Sequence, residues 1–338
     1  MEPTPWTAGR ILETASAYWQ VCTLHTGVKL EIFTFLEGKT ATAATVAEEI
    51  KADAYGTEVL LNALAAMGLI VKSTAGYTDT DAAVKWLSKK SNQYLGHIIL
   101  HQHHLVETWD RLDEVVRTGA PPRIGSRHNE AERRENFLMG MFNMAMNLAP
   151  YLSSEIDLSG RAHLLDLGGG PGTWAIHFCL KNPTLKATIF DLPTTRPFAQ
   201  KTIERFGLTS RINFATGNFL EDPIPGSYDA AWLSQILHGE GPEDCLKIIQ
   251  KTVSALKPGG LIMIHEFLLN DPMDGPLFPA LFSLNMLGQT EKGRSYSQGQ
   301  LEAMLRATGV IDIRRIEVVT PNDSAILSGV KSATPPKP

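Results

Sequence analysis

The sequence predicts an α/β chain in two parts: a helical N-terminal domain (residues 1–120) and a second domain (residues 121–338) built on a mostly parallel β-sheet. Three observations predict this. Residues 9–80 have helical periodicity that ends in two short strands, and a Pro- and Gly-rich polar segment, TGAPPRIGSRHNE, follows later. From Ala162 onwards, short apolar runs alternate with helical stretches. Such alternation predicts a parallel sheet with helices on both faces.

The N-terminal part predicts a winged-helix unit. Residues 9–37 carry apolar positions at helical spacing, and we expect two helices separated at Gly27. The following forty residues predict a helix, a turn, a second helix that ends at Gly68, and two strands joined by residues 74–76. One long helix is expected over residues 91–118.

A winged helix suggests DNA binding, but the charges disfavour it. Residues 1–100 contain ten acidic and eight basic residues. The would-be recognition helix, from Gly56 to Gly68, contains Glu58 and no Lys or Arg. Such a helix lacks the cations that contact phosphates and guanine in a major groove. Packing or dimerisation is the favoured role, and no nucleic-acid partner is expected.

Composition excludes several other classes of protein. The net charge is −5, and 43% of the residues are hydrophobic against 20% charged, as in an ordinary globular protein. The three cysteines are far apart and have no metal-binding spacing, which suits a reducing compartment. No signal peptide or membrane-spanning run is expected. We therefore predict a cytoplasmic protein without a membrane partner.

The second domain predicts a sheet with one antiparallel end. A Met-rich helix, FLMGMFNMAMNLAPYL, precedes the expected strands HLLDL, KATIFD, INFATG, YDAAWLS and GLIMIHEF. The last two strands, IDIRRIEVV and SAILSGVK, are joined by residues 320–323 alone. That connection is too short for a crossover helix, so these two strands must be antiparallel.

A glycine turn after the first of these strands predicts a nucleotide site. Gly168 to Gly170 stand between a strand and a helix, and Asp191 ends the next strand, where it can accept ribose hydroxyls. This pattern alone allows NAD or S-adenosylmethionine, or a turn needed only for helix–strand packing. Two residues favour S-adenosylmethionine: Asp166 would crowd a pyrophosphate but suit a cationic methionine group, and Pro171 removes one loop N–H.

Five ordered motifs then resemble the plant caffeic-acid-type and bacterial hydroxyneurosporene and antibiotic O-methyltransferases: DLGGGPGTWA, IFDLP, YDAAWLSQILHGEGPEDC, LKPGG and IHE. The helical half is similar to the dimerisation domain of that family, so the resemblance covers nearly the whole chain. It implies a Rossmann-like, seven-stranded methyltransferase sheet with a final antiparallel hairpin, S-adenosylmethionine as cofactor and a homodimer.

The resemblance also implies a cofactor site. The family positions carry over to Gly168, to Asp191 for the ribose, to Asn218 and Phe219 beside the adenine, and to Ser234, and we expect Asp166, Gly170 and Leu192 to complete the site. Two of them depart from the plant pattern. Asn218 stands where an Asp usually accepts from the adenine amino group, although the amide oxygen can still accept. Ser234 replaces a Lys.

The same resemblance implies the catalytic residues. His238 matches the general base that removes a hydroxyl proton, and Glu266 matches the acid that orients it. The two acids that usually flank the base are missing, because Gly239 and Gly293 occupy their positions. Their absence leaves room for N- or C-methylation, for non-methylating catalysis, or for catalysis by proximity alone.

The acceptor is expected to be small and apolar: aromatic, polyketide or isoprenoid. One face of the Met-rich helix is expected to line its pocket, with a second wall after the fifth strand of the sheet: Phe137, Met141, Met144 and Leu148, then Phe278, Phe282, Leu284 and Asn285. An apolar stripe of this kind also occurs as plain core.

Three histidines share one helical face. His97, His101 and His104 lie at i, i+4 and i+7, and the first pair has a metal-ligand spacing. No acidic residue or cysteine joins them in the motif, so we expect no metal and favour a packed polar face or a pocket wall. A winged-helix regulator that senses a nucleotide-like ligand is the remaining alternative to an enzyme.

Overall fold

The computed structural model describes residues 5–123 and 129–333. Its contacts divide the chain into two compact units, Met1–Leu105 with His128–Asn143, and Val106–Arg127 with Met144–Pro338. Residues 124–128 of the Pro/Gly segment lie outside the described residues. The boundary between residues 120 and 121 stays a prediction. None of the helices in the described parts of the chain is long and apolar enough to cross a bilayer.

The N-terminal elements form the expected helix–turn–helix–hairpin order. They are α1 Ala8–Ser16, α2 Tyr18–Lys29, α3 Ile32–Leu36, α4 Ala43–Ile50, α5 Ala54–Ala66, β1 Ile70–Ser73, β2 Gly76–Asp79, α6 Asp81–Leu87 and α7 Gly96–Trp109. The side chains of Thr42 and Asp53 cap α4 and α5 by accepting from backbone N–H groups of their first turns. β1 and β2 pair antiparallel. The predicted winged-helix order is confirmed.

The predicted break at Gly27 is wrong. The helices are interrupted instead at Ala17 and again after Lys29, where Glu31 has a φ of 57°. Gly27 is buried inside α2, and a Cβ there would lie 3.1 Å from the Phe33 ring and 3.2 Å from Leu64. The glycine therefore allows close packing of helices rather than ending one.

The single helix expected over residues 91–118 is also wrong, because it divides into α7 and α8 (Leu112–Thr118). Asp110 and Arg111 leave the helix between them. Asp favours turns and caps over helix interiors, since its side chain competes for backbone N–H groups. The Met-rich helix exists, but as part of the longer α9 (Glu130–Glu155).

The second unit contains the sheet, and every expected strand is present. The elements are β3 His163–Leu167, α10 Thr173–Lys181, β4 Lys186–Asp191, α11 Arg196–Arg205, β5 Ile212–Thr216, β6 Tyr228–Ser234, α12 Pro242–Ala255, β7 Leu256–Phe267, α13 Leu277–Gln289, α14 Gln298–Ala307, β8 Val310–Ile316 and β9 Ser324–Lys331. A short 3₁₀ turn, Leu237–Gly239, follows β6.

The strand order explains where a ligand can bind. The order is β5-β4-β3-β6-β7-β9-β8, with β3 to β7 parallel and β8 and β9 antiparallel, as predicted. Buried apolar clusters fill both faces of the sheet. The chain runs outwards from β3 to one edge and then returns to the other side at β6. Such a switch point opens a crevice at the carboxyl ends of β3 and β6, where ligands bind in sheets of this kind.

Candidate active site

The glycine turn presents bare backbone at the carboxyl end of β3. After Leu167 the chain turns through Gly168 and Gly170, whose φ angles are 63° and 55°, a region that favours glycine. A Cβ at Gly168 would lie 2.6 Å from Ile236, whereas at Gly170 nothing lies within 4 Å. The turn therefore admits a ligand against the backbone beside Gly170.

Asp166 lies beneath this turn and is fully buried. A Cβ at Gly169 would lie 2.6 Å from the Asp166 carboxyl group, so only glycine fits above it. One carboxyl oxygen accepts from the Ala175 N–H at 3.1 Å, and the other has no hydrogen-bond partner among the described residues. Burial raises the pKa of Asp166 to about 7, and Asp191 adds to the rise. Direct contact of Asp166 with the cofactor stays a prediction.

Asp191 stands at the end of β4, beside the turn. Its Oδ2 accepts from the Gly170 N–H at 2.8 Å, and its Oδ1 accepts from the Leu192 N–H at 2.6 Å and the Thr195 hydroxyl at 3.2 Å. Burial raises the pKa of Asp191. A carboxylate has about four acceptor positions, so one remains on Oδ2. The open turn and this acceptor fit a ligand that carries a ribose.

Asn218 and Phe219 follow β5 on the same edge. The side-chain amide oxygen of Asn218 accepts from the Leu220 N–H at 3.0 Å, and the backbone N–H of Asn218 donates to the Asp222 carboxyl group at 2.8 Å. Phe219 lies close to the turn, since a Cβ at Gly168 would be 3.4 Å from its ring. The structure therefore brings Phe219 to the glycine turn and leaves the Asn218 oxygen one further acceptor position.

Ser234 is held by a buried histidine that sequence reasoning missed. Its hydroxyl lies 2.9 Å from Nδ1 of His265, and Nε2 of His265 lies 3.0 Å from the Ser324 hydroxyl. The imidazole stacks on Trp232, and burial lowers the pKa of His265 to about 4. His265 is therefore a neutral connector between three strands. In the sequence it is the polar residue before Glu266 in the IHE motif, at the end of an apolar run.

The chain turns sharply between Ser234 and His238. Gln235 has a φ of 56°, which is uncommon outside glycine, and its N–H donates to the His265 carbonyl at 2.8 Å. The 3₁₀ turn follows at once and carries His238. This turn places the imidazole at the carboxyl end of β6.

His238 and Glu266 form a close pair. Nδ1 of His238 lies 2.7 Å from Oε2 of Glu266, while Oε1 accepts from the Leu237 N–H at 2.9 Å. The glutamate side chain is 3% exposed and that of the histidine 15%. A carboxylate accepts only, so the bond selects the tautomer with the proton on Nδ1. Nε2 then keeps its lone pair.

An aromatic patch surrounds the imidazole. Phe282 meets His238 edge-on with ring centroids 4.8 Å apart, and Phe267 stacks on it at 6.1 Å. Phe278 extends the patch from Phe267 at 5.0 Å. We define these three phenylalanines as the aromatic patch. Asn285, on the same helix as Phe282, accepts from the Trp109 indole at 3.0 Å. Phe267 was not foreseen as part of a site.

The four residues of the Met-rich helix divide between the two units. Phe137 and Met141 belong to the first, and Met144 and Leu148 to the second. Phe137 packs edge-on against His101 at 5.3 Å, and Leu148 packs against the core beneath the sheet. Their contact with an acceptor stays a prediction.

The three histidines of α7 have separate environments. Nδ1 of His97 lies 3.0 Å from the Asn136 amide oxygen, and His104 is buried. Burial, with Arg133 nearby, lowers the pKa of His101 to about 4. Within residues 5–123 and 129–333, no group of three or more His, Cys, Asp or Glu residues is arranged to hold a metal ion.

Comparison with known proteins identifies the family. Residues 115–310 match the O-methyltransferase domain and residues 12–89 the O-methyltransferase dimerisation domain. The chain is 31% identical to 3-hydroxy-5-methyl-1-naphthoate 3-O-methyltransferase of Streptomyces sahachiroi, over 95% of each chain. It is 29% identical to the N,N-dimethyltransferase OxyT of Streptomyces rimosus, over 82% of this chain and 83% of the relative.

Comparison with a solved structure supports the same family. Human N-acetylserotonin methyltransferase in complex with S-adenosylmethionine superposes with a TM-score of 0.86 at 25% identity, over 98% of this chain and all of that one. The family match covers more than half of the chain, so the regulator alternative is set aside. The chain belongs to the O-methyltransferase family, carries its dimerisation domain, and is an S-adenosylmethionine-dependent enzyme.

Proposed function

We propose that the enzyme methylates a hydroxyl group of a small apolar acceptor, with His238 as general base. One observation carries the proposal: the 2.7 Å contact between His238 Nδ1 and Glu266, which leaves Nε2 as a free proton acceptor beside the aromatic patch. A general base needs a lone pair directed at the reacting group and a partner that fixes its orientation.

Each residue of the proposed site then has a task. S-adenosylmethionine, when bound, supplies a methyl group on a positively charged sulfur. Gly168, Gly170 and Asp191 would hold its nucleoside part against the ends of β3 and β4. Nε2 of His238 takes the proton from the hydroxyl group of the methyl acceptor, which leaves that oxygen nucleophilic. The Glu266 carboxyl group opposite Nδ1 would stabilise the imidazolium that forms.

The aromatic patch supports a planar acceptor. Phe278 is one of the exposed large apolar residues of the chain, so the patch is open to a ligand on one side. Aromatic rings prefer edge-to-face and offset contacts with other aromatic rings. The naphthoate named in the Streptomyces sahachiroi relative has such a ring. We therefore place hydroxylated aromatic and polyketide compounds first among acceptors and isoprenoids after them.

A screen with labelled donor tests this proposal. The enzyme is incubated with S-adenosylmethionine carrying a labelled methyl group and a panel of hydroxylated, aminated and unsubstituted polycyclic aromatic compounds. Mass spectrometry should find the label as an aryl methyl ether on the hydroxylated members alone. Label on carbon or nitrogen, with no ether formed, would refute O-methylation by this chain.

N-methylation is the second candidate because a relative of comparable identity is named as an N,N-dimethyltransferase. An amine acceptor also loses a proton on methylation, so the pair of His238 and Glu266 fits that reaction as well. The aminated members of the panel distinguish it directly.

We further propose that two copies of the chain form a homodimer through α1 and the start of α2. α1 buries none of its residues within the chain. Leu12 is 69% exposed and Trp19 64%, and Ile11, Tyr18 and Val21 are also exposed. A contiguous apolar surface of this kind is typical of an interface between proteins. The dimerisation domain matched over residues 12–89 contains most of it.

The cytoplasmic location also remains a proposal. All three cysteines are free, and Cys179 and Cys245 are buried where burial raises their pKa. Free thiols suit a reducing compartment. Fluorescence of a tagged full chain in the source cell would test it.

A further inference from the structure

Gly293 lies against the main chain of His238. A Cβ at Gly293 would lie 2.6 Å from the His238 carbonyl oxygen and 3.1 Å from the Gly239 carbonyl carbon, and it would overlap the Thr290 hydroxyl. A real Cβ does not approach backbone atoms so closely. The position where an acid was expected from the family resemblance is therefore one that admits no side chain.

The loop that contains Gly293 contacts the main chain around His238 at several points. We call residues 290–296 the strap. The Arg294 N–H donates to the His238 carbonyl at 2.8 Å. The Thr290 hydroxyl accepts from the Gly293 N–H at 2.7 Å and fixes the turn that brings Gly293 close. The Tyr296 hydroxyl donates to the Glu240 carbonyl at 2.6 Å.

A further contact joins the strap to the helix after His238. The Lys292 ammonium lies 3.3 Å from a carboxyl oxygen of Asp244 at the start of α12. The main chain of the 3₁₀ turn is thus bound on both sides of the imidazole: Glu266 accepts from the Leu237 N–H, and the Arg294 N–H donates to the His238 carbonyl.

We propose that the strap positions the catalytic imidazole through its main chain, with Gly293 as the residue that allows the approach. This rests on the proposed role of His238 as general base. Glu266 fixes Nδ1 and one end of the segment, while the strap fixes the peptide plane that follows His238. Together these contacts determine where Nε2 lies. In this chain, a backbone clamp takes the place that flanking acids occupy in the family pattern.

Gly239 provides a matched control. It also adjoins His238, yet nothing lies within 4 Å of a Cβ there. Gly293→Ala should displace the His238 carbonyl, whereas Gly239→Ala should not. A displacement of about 1 Å in an active site can cost about 10²-fold in rate, so we expect a fall of about that size in kcat for Gly293→Ala. Gly239→Ala should stay within about twofold of wild type, as substitutions without new contacts usually do.

The experiment measures kcat, the acceptor KM, the Kd of S-adenosylhomocysteine and the thermal midpoint for both variants. The proposal expects Gly293→Ala to lower kcat while the Kd is unchanged. If Gly293→Ala folds poorly, Thr290→Val replaces it, because this change removes the hydroxyl that accepts from Gly293. Thr290→Ser, which keeps the hydroxyl, should restore kcat.

A double variant separates positioning from a general structural effect. In a His238→Ala background, Gly293→Ala should cause no further loss, because contacts that act through one group are not additive. A loss of the same size in both backgrounds would overturn the proposal. So would wild-type kcat in Gly293→Ala and Thr290→Val while His238→Ala alone is severely slowed. Wild-type activity in His238→Ala would instead refute the general-base function itself.

Discussion

The Gly170 N–H donates to Oδ2 of Asp191 at 2.8 Å, and this bond joins the glycine turn after β3 to the end of β4. Two sequence motifs that lie about twenty residues apart thereby become one surface at the switch point of the sheet. Because Asp191 also accepts from Leu192 and Thr195, its orientation is set by the protein alone. A carboxylate oriented in advance binds ribose hydroxyls without a cost of ordering.

Asp191→Ala should therefore weaken cofactor binding strongly. Hydrogen bonds to a charged group contribute roughly 1.5–3 kcal/mol, so the Kd of S-adenosylhomocysteine should rise about 10- to 10²-fold in calorimetry. Asp113→Ala is the control, because this carboxylate on α8 is exposed and pairs only loosely with Arg117 at 3.8 Å. Equal affinity in both variants would show that Asp191 does not hold the nucleoside.

Asp166 predicts a pH dependence of stability. Its pKa is raised from 3.8 to about 7, mainly by burial, so the folded protein retains a proton that the unfolded chain releases. Stability contributed by the protonated group is therefore lost as the pH rises from about 4 to about 7, and no further loss occurs above that range. Asp166→Asn removes this dependence.

The measurement compares thermal midpoints of wild type and Asp166→Asn between pH 4 and pH 8 without ligand. The thermal midpoint of Asp166→Asn minus that of wild type should increase as the pH rises to 7 and stay constant above it. Subtraction removes the contribution of Asp79, whose pKa burial also raises to about 7. A difference that is independent of pH would contradict the assignment.

Glu266→Gln should reduce activity less than loss of the histidine does. Glutamine keeps the size of the side chain and an acceptor for the Leu237 N–H, but it removes the charge that stabilises the imidazolium. We expect kcat to fall about 10- to 10²-fold, below the upper range of general-base effects. Steady-state kinetics with a saturating acceptor decides this, and a loss larger than that of His238→Ala would show that Glu266 has another role.

Charge on the apolar face of α1 and α2 should separate the copies. Leu12→Asp with Trp19→Asp places two carboxylates where the proposed interface excludes water, and burying unpaired charges there is costly. Sedimentation velocity should show a dimer for wild type and a monomer for this variant. Val319→Asp, at an exposed site in the second unit, is the control. A variant that remains dimeric would place the interface elsewhere.

The sheet could be predicted from sequence because its signals are local. Strands such as KATIFD and YDAAWLS are short apolar runs. The link before β9, residues 317–323, is too short for a crossover helix and permits only an antiparallel pair. The helix breaks could not be predicted in the same way. Gly27 looks like a helix break in the sequence but allows close helix packing. The helix break at Asp110 and Arg111 does not interrupt the helical spacing of apolar residues.

Some residues of the site could be predicted from the sequence and others could not. The glycine turn, Asp191, His238 and Glu266 stand in recognisable motifs, so sequence reasoning selected them. His265 stands in the IHE motif, but neither its role nor that of the strap follows from the sequence, because their contacts join residues distant in the chain: His265 links Ser234 with Ser324, and the strap links His238 with Arg294. In the sequence, Gly293 stands where the family pattern has an acidic residue, and only the geometry shows that a side chain cannot fit there.

In the proposed mechanism, His238 removes the proton of the methyl acceptor while Glu266 holds the tautomer of the imidazole. The most direct test is the single-turnover rate of methyl transfer by His238→Ala, measured with saturating donor and acceptor, together with the Kd of S-adenosylhomocysteine. We expect a fall of about 10² to 10⁴ in rate with the Kd unchanged. A variant that keeps most of the rate and changes only the acceptor KM would contradict it, since the histidine would then be a wall of the acceptor site.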